Sequence, residues 1–167
     1  KLTPKLHRML YATDLSADSS DAIRYAVNYA NRHNAKLIIF HVINQRSITC
    51  AKIQSNFFDL DQEHKIRQKK INAALKRMEN LLELIRKKEF NDHPEYINKV
   101  EYLVAHCGRI AEQIVEKADR WGCELIILGP HRKGLLGRIF LPGISRKVIR
   151  KTHTSVHVIK LPEGEKP

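Results

Sequence analysis

The strongest chemical signal in this sequence lies in residues 124–151, where an apolar run ends at a glycine and a basic loop leads into a helix. The run ELIIL stops at Gly129. The loop that follows, PHRKGLLGRIFLP, carries Arg132 and Lys133, and a helical pattern begins near Gly143. At the carboxyl end of a buried strand, a helix N-terminus presents free N–H groups and the positive end of its dipole. The sequence therefore predicts an anion site at this corner.

The loop does not match the common phosphate-binding and catalytic motifs. Gly129 and Gly134 have the spacing of a Walker loop, but leucines stand at the positions of its Lys and Ser/Thr. GxGxxG is absent, and Ser145 does not lie in a GxSxG turn. We assign no catalytic residue. Slow nucleotide hydrolysis at this corner stays open as an alternative, with Asp14, which follows the first apolar run of the chain, as its only candidate base.

Cysteine and histidine usage does not favour a disulfide framework or a metal site. The three cysteines, Cys50, Cys107 and Cys123, are widely spaced and form no CxxC pair. His153 and His157 are four residues apart, but the valines on either side of His157 indicate a strand rather than a metal-binding helix. A reducing cytoplasm is the simplest setting for such a chain.

Length and charge restrict the remaining possibilities. A chain of 167 residues fits one domain, 1–167, and no apolar run is long enough to span a bilayer. The net charge of +12 favours an anionic partner, which includes nucleotides, acidic proteins and nucleic acids. Few aromatic residues lie among the basic ones, so nucleic acid is the less favoured partner, and a basic adaptor for an anionic protein stays open.

Hydrophobic periodicity predicts strands and helices in strict alternation. The predicted strands are Met9 to Thr13, Lys36 to Ile43, a segment around Val100 to Val104, Glu124 to Leu128, and a segment around Val156 to Leu161. The predicted helices start at Ser16 or Ser19, near Gln62, at Gly108 and near Gly143. Each connection is long enough to hold a crossover helix, so we expect an α/β fold with an open five-stranded parallel sheet and helices on both faces.

Four segments carry a resemblance to a known family. They are MLYATDLSADSSDAIRYA, LIIFHVI, CGRIAEQIVEKADRWGCELIILG and SRKVIRKTHTSVHVIK. In this order and spacing they make the chain similar to the universal stress protein family over nearly its whole length. The resemblance implies an adenine-nucleotide alpha-hydrolase-like (Rossmann-like) fold and a cytoplasmic regulatory module of the stress response. It also implies a homodimer that pairs through the last strand, here Val156 to Lys160.

The resemblance also assigns residues to a nucleoside site. An acidic residue after the first strand approaches the nucleoside in family members, and Asp14 matches it, with Ala12 and Thr13 beside it. Val42 matches the residue near the base on the second strand. From the residues alone, Asp14 is equally well explained as a turn or helix-capping acid, and Val42 as a core residue.

The phosphate loop of the family resembles G-x-x-G-x9-G-[ST], and this chain departs from it. Gly129 matches the first glycine, but Arg132 stands at the second, and Pro142 and Gly143 stand at the final pair. Arg132 places a side chain where a glycine would let the backbone approach a phosphate closely. Pro142 has no backbone N–H to donate, and Gly143 lacks the hydroxyl of Ser or Thr. We expect weak or absent binding of ATP or AMP; retained binding through Arg132, Lys133 and other basic side chains is the alternative.

Overall fold

The computed structural model describes residues 5–16, 19–46, 60–129 and 143–159. The strands are β1 (Arg8–Thr13), β2 (Lys36–Asn44), β3 (Val100–Gly108), β4 (Leu125–Leu128) and β5 (Ser155–Val158). The α-helices are α1 (Ser19–Arg32), α2 (Leu60–Glu89), α3 (Ile110–Arg120) and α4 (Gly143–Lys151), and a 3-10 helix covers Pro94–Lys99.

The five strands form one parallel sheet in the order β3-β2-β1-β4-β5. The predicted open parallel sheet is therefore confirmed. The chain first builds outward from β1 through β2 to β3, and then returns to the other side of β1 for β4 and β5. The carboxyl ends of β1 and β4 thus form a topological switch point, which is where ligands bind in open α/β sheets.

Alternating side chains of the strands supply two separate halves of the core. Met9 and Tyr11 of β1 are buried against α1 and α2, whereas Leu10 is buried on the face covered by α3 and α4. β2 and β4 follow the same alternation, so both of their faces are apolar. Burying each large apolar side chain is worth roughly 1.5–3 kcal/mol, so coverage of both faces stabilises the sheet.

Helix α2 packs along one apolar stripe; the spacing of Ile71, Leu75, Met78, Leu82 and Ile85 predicts such a stripe, and of these Ile71 and Leu75 are only partly buried. Its buried residues are Ala74, Met78, Leu82 and Ile85. The rest of the helix is strongly charged, with surface ion pairs such as Arg86 to Glu83 at 2.7 Å. Within the described ranges no helix is both long enough and apolar enough to cross a membrane.

Several local details differ from the sequence expectation. Gly108 is the last residue of β3, paired with Asn44, and does not open α3; Arg109 precedes that helix instead. Helix α1 begins at Ser19, so the residue before it lies outside the described ranges. β5 ends at Val158, and positions 160 and 161 also lie outside the described residues.

Candidate functional site

A cleft of about 340 Å³ opens at the switch point. Its floor is formed by the carboxyl ends of β1, β2 and β4, and its walls come from the first turns of α3 and α4. Phe40, Val42, Ile114 and Leu128 give it an apolar interior. Asp14 lies at the exposed rim. The volume falls in the range of small-ligand pockets, which are mostly apolar with a few polar groups.

The turn after β1 is held by a compact set of hydrogen bonds. The buried Thr13 hydroxyl accepts from the backbone N–H of Leu15 at 3.1 Å and donates to Ser19 Oγ at 3.2 Å. The Asp14 carboxylate accepts from the Ser16 N–H at 2.9 Å. Leu15 adopts a φ of 56°, which a bulky side chain rarely does. The turn is therefore fixed by tertiary contacts rather than by local preference.

Gly129 lies close to the ring of Tyr11, which would crowd a side chain at this position. A Cβ at this position would be 3.0 Å from the Tyr11 Oη atom and 3.4 Å from its Cε2 atom. Tyr11 is 1% exposed, and burial raises its pKa well above the usual range, an effect that the nearby Thr13 side chain only partly offsets. Packing under the cleft therefore favours glycine at this position, whether or not a ligand binds.

His41 joins β2 to the end of β1. Its Nδ1 atom lies 2.9 Å from the carbonyl oxygen of Thr13. Because a carbonyl only accepts, Nδ1 carries the hydrogen. Burial lowers the pKa of His41, while the Thr13 carbonyl and the charge of Asp14 raise it and Arg77 lowers it further. The ring is therefore held neutral at the floor of the cleft.

The structure brings together most of the residues that the sequence assigned to a nucleoside site. The residues of this set that line the cleft are Ala12, Thr13, Asp14, Val42 and Gly129. Gly143 is exposed at the first position of α4, next to two lining residues, Ile144 and Ser145. Arg132, Lys133 and Pro142 lie outside the described residues. The roles of all these residues toward a ligand remain predictions.

Sequence reasoning missed Ser145 as a lining residue, having weighed it only as a nucleophile. It is 6% exposed and lies three positions before the buried Val148, on the inner face of α4. A polar residue on the apolar face of a short helix was the available signal. Among the described residues, no group of three or more His, Cys, Asp or Glu side chains is placed to hold a metal.

The sequence model of the universal stress protein family matches residues 5–160. The chain therefore belongs to the universal stress protein family. Universal stress protein MJ0577 of Methanocaldococcus jannaschii is 27% identical over 161 residues, with 92% of this chain and 94% of that protein covered. The solved structure of MJ0577 covers 96% of this chain and 99% of its own, with 26% identity and a TM-score of 0.66.

Two further solved structures share the fold. A universal stress protein in complex with cAMP has a TM-score of 0.54 and 20% identity, covering 93% of this chain and 98% of its own. A universal stress protein of Archaeoglobus fulgidus in complex with dAMP has a TM-score of 0.52 and 15% identity, covering 93% of this chain and 99% of its own. At these identities the likeness establishes the α/β architecture.

Replacing Gly129 by alanine should destabilise the protein by about 1–3 kcal/mol, because the new methyl group would crowd the fixed Tyr11 ring. Gly143→Ala is the matched control, since nothing lies within 4 Å of a Cβ there. Its expected effect ranges from neutral to about 1 kcal/mol of stabilisation. Urea unfolding measures the free energy of unfolding of both variants. Removing the hydroxyl with Tyr11→Phe should reduce the penalty of Gly129→Ala, and equal penalties in both backgrounds would refute the packing account.

The neutral state of His41 predicts a pH-dependent stability. The folded pKa is lowered from 6.5, so the unfolded chain binds more protons, and stability falls as pH drops below about 6.5. His41→Asn keeps a side-chain N–H donor near the Thr13 carbonyl but cannot titrate. Urea midpoints at about pH 7.5 and about pH 5.5 should show a smaller loss for His41→Asn than for the wild type. The exposed His153→Asn serves as control, and an identical loss in all three proteins would contradict the prediction.

Proposed function

We propose that this universal stress protein is a dimeric regulatory module without catalysis, whose cleft binds an adenine nucleotide weakly. The observation that carries the proposal is the position and character of the cleft. It lies at the switch point of the sheet, is apolar inside and has a carboxylate at its rim. A purine base and a ribose require this combination, because the base has apolar faces and the ribose has hydroxyl donors.

Asp14 serves two purposes in this proposal. One of its oxygens accepts from the Ser16 N–H and shapes the turn. The same carboxylate lines the cleft, where a ribose hydroxyl would donate to it. Because Thr13 and His41 anchor the turn from below, the carboxylate is held in place before a ligand arrives. Such preorganisation favours binding by reducing the ordering cost.

Weak affinity follows from the sequence of the loop after β4. Arg132 stands where family members have a second glycine, and Pro142 and Gly143 replace the final Gly-Ser/Thr pair. A backbone cradle for phosphates is therefore incomplete. The family members in complex with cAMP and dAMP make adenine nucleotides the reasonable ligands to test.

The proposed homodimer uses the edge of β5. In the described sheet, β5 pairs with β4 on one side, and the alternation of a parallel ladder directs the N–H groups of Val156 and Val158 away from β4. Beside this edge, the Tyr25 hydroxyl lies 3.2 Å from His157 Nε2, and the rings of Tyr25 and Tyr29 stack 6.0 Å apart. An outer edge that no described strand pairs with, beside the exposed Tyr25 side chain, favours a protein interface.

Asp14→Asn tests nucleotide binding while preserving the turn, because an asparagine side-chain oxygen still accepts from the Ser16 N–H. Calorimetric titration with AMP should show wild-type binding and an affinity about tenfold lower in Asp14→Asn, since a charge-assisted hydrogen bond is lost. Asp21→Asn, an exposed acid on α1, makes the same charge change away from the cleft and should match the wild type. Unchanged affinity in Asp14→Asn would limit Asp14 to its role in the turn.

Val156→Pro tests the dimer. Proline removes only an N–H that points to the outer edge, so the pairing of β5 with β4 should persist. Sedimentation analysis should find a dimer for the wild type and for Val156→Ala, and a monomer for Val156→Pro. The alanine variant controls for loss of the valine side chain, which is partly buried. A wild-type monomer, or a dimeric proline variant, would rule out pairing through this edge.

A further inference from the structure

A second cavity, of about 670 Å³, adjoins the nucleoside cleft and has a different chemistry. Both cavities are lined by Asn44, Ile110 and Ile144, so the two lie side by side. The cleft is mainly apolar, whereas the second cavity is lined mainly by polar and charged groups. We call the second cavity the basic annex.

Three cationic side chains reach the basic annex from three separate segments. Arg46 follows β2, Arg109 precedes α3, and Lys147 lies on α4. None of the three forms an ion pair with any residue in the described part of the chain. Three like charges at one cavity repel one another, and an anion bound among them would remove that repulsion.

Among the described residues that line the basic annex, the one acidic side chain is already engaged. Glu112 lies 3.2 Å from Lys151 Nζ, and its pKa is lowered by its own backbone N–H and then by Lys151. Its carboxylate is therefore already partnered by Lys151, which does not line the annex, although Arg109 also lowers its pKa. The first turn of α3, residues 110–112, also lines the annex. Arg109 precedes this helix, and its side chain makes no capping hydrogen bond to it. Backbone N–H groups there add to the field of the cations.

We propose that the basic annex binds the phosphate groups of the nucleotide whose nucleoside occupies the cleft. This inference rests on the proposed nucleotide function. It places the phosphate group between the end of β2, the start of α3 and the inner side of α4. One guanidinium group donates two parallel hydrogen bonds to the oxygens of a phosphate. Arg46 and Arg109 therefore supply the contacts that the backbone N–H groups of a glycine-rich loop make in other phosphate sites.

The test compares ligands that differ only in phosphate. Adenosine, AMP and ADP are titrated calorimetrically into the wild type and into the double variant Arg109→Gln, Lys147→Gln. The matched control is Arg120→Gln, Arg150→Gln, which removes two exposed charges from the far ends of the same two helices. Inorganic phosphate is titrated separately.

The wild type should bind AMP and ADP more tightly than adenosine. In the annex variant the preference for AMP over adenosine should fall about tenfold, because two charged contacts are lost, while adenosine affinity stays the same. The control variant should keep the wild-type preference. Retained adenosine binding also shows that the annex variant is folded.

Four results would overturn the annex assignment. Equal affinity for adenosine and AMP in the wild type, or an unchanged preference in the annex variant, would refute the annex while leaving nucleoside binding intact. Inorganic phosphate binding as tightly as AMP would make the annex an anion site independent of the nucleoside. Absence of binding by adenosine, AMP and ADP alike would refute the nucleotide function and the annex with it.

Discussion

The double enclosure of β1 is the constraint on which the rest of the structure depends. This strand pairs with β2 on one side and β4 on the other, and its side chains are buried on both faces of the sheet. The chain leaves β1 at Thr13, between β2 and β4. From these two strands the sheet extends toward its two opposite edges. The resulting gap cannot be filled by the sheet itself, so helices α3 and α4 border it and a cleft remains.

The same constraint explains why the turn after β1 is so heavily bonded. Thr13 is buried, so its hydroxyl and carbonyl need partners, which are supplied by Leu15, Ser19 and His41. Those bonds hold Leu15 in a conformation that it would not adopt alone. Stability and site geometry are therefore coupled here, because the groups that satisfy the buried strand end also position the Asp14 carboxylate.

Much of this fold could be predicted from the sequence because its strongest signals are local. Strands that are buried on both faces, such as β2 and β4, need nearly continuous apolar runs. A helix that is buried along one face, such as α2, needs a single apolar stripe. Gly108 was misassigned because a glycine beside a helical pattern resembles a boundary signal, whereas its backbone pairing with Asn44 is a tertiary fact. The sequence also gave no signal for the 3-10 helix at Pro94–Lys99, which has no buried residue.

The basic annex shows which part of a site no local pattern reveals. Arg46, Arg109 and Lys147 are distant in sequence and are each an ordinary surface cation in their own segment; only the topology brings them to one cavity. The apolar half of the site has little freedom to change, because Val42 and Leu128 also belong to the core and their loss would cost stability. The three exposed cations of the annex are not part of the core, so their substitution carries no such cost. Under the proposed function, recognition of the nucleoside is thus tied to the fold, whereas recognition of phosphate is not.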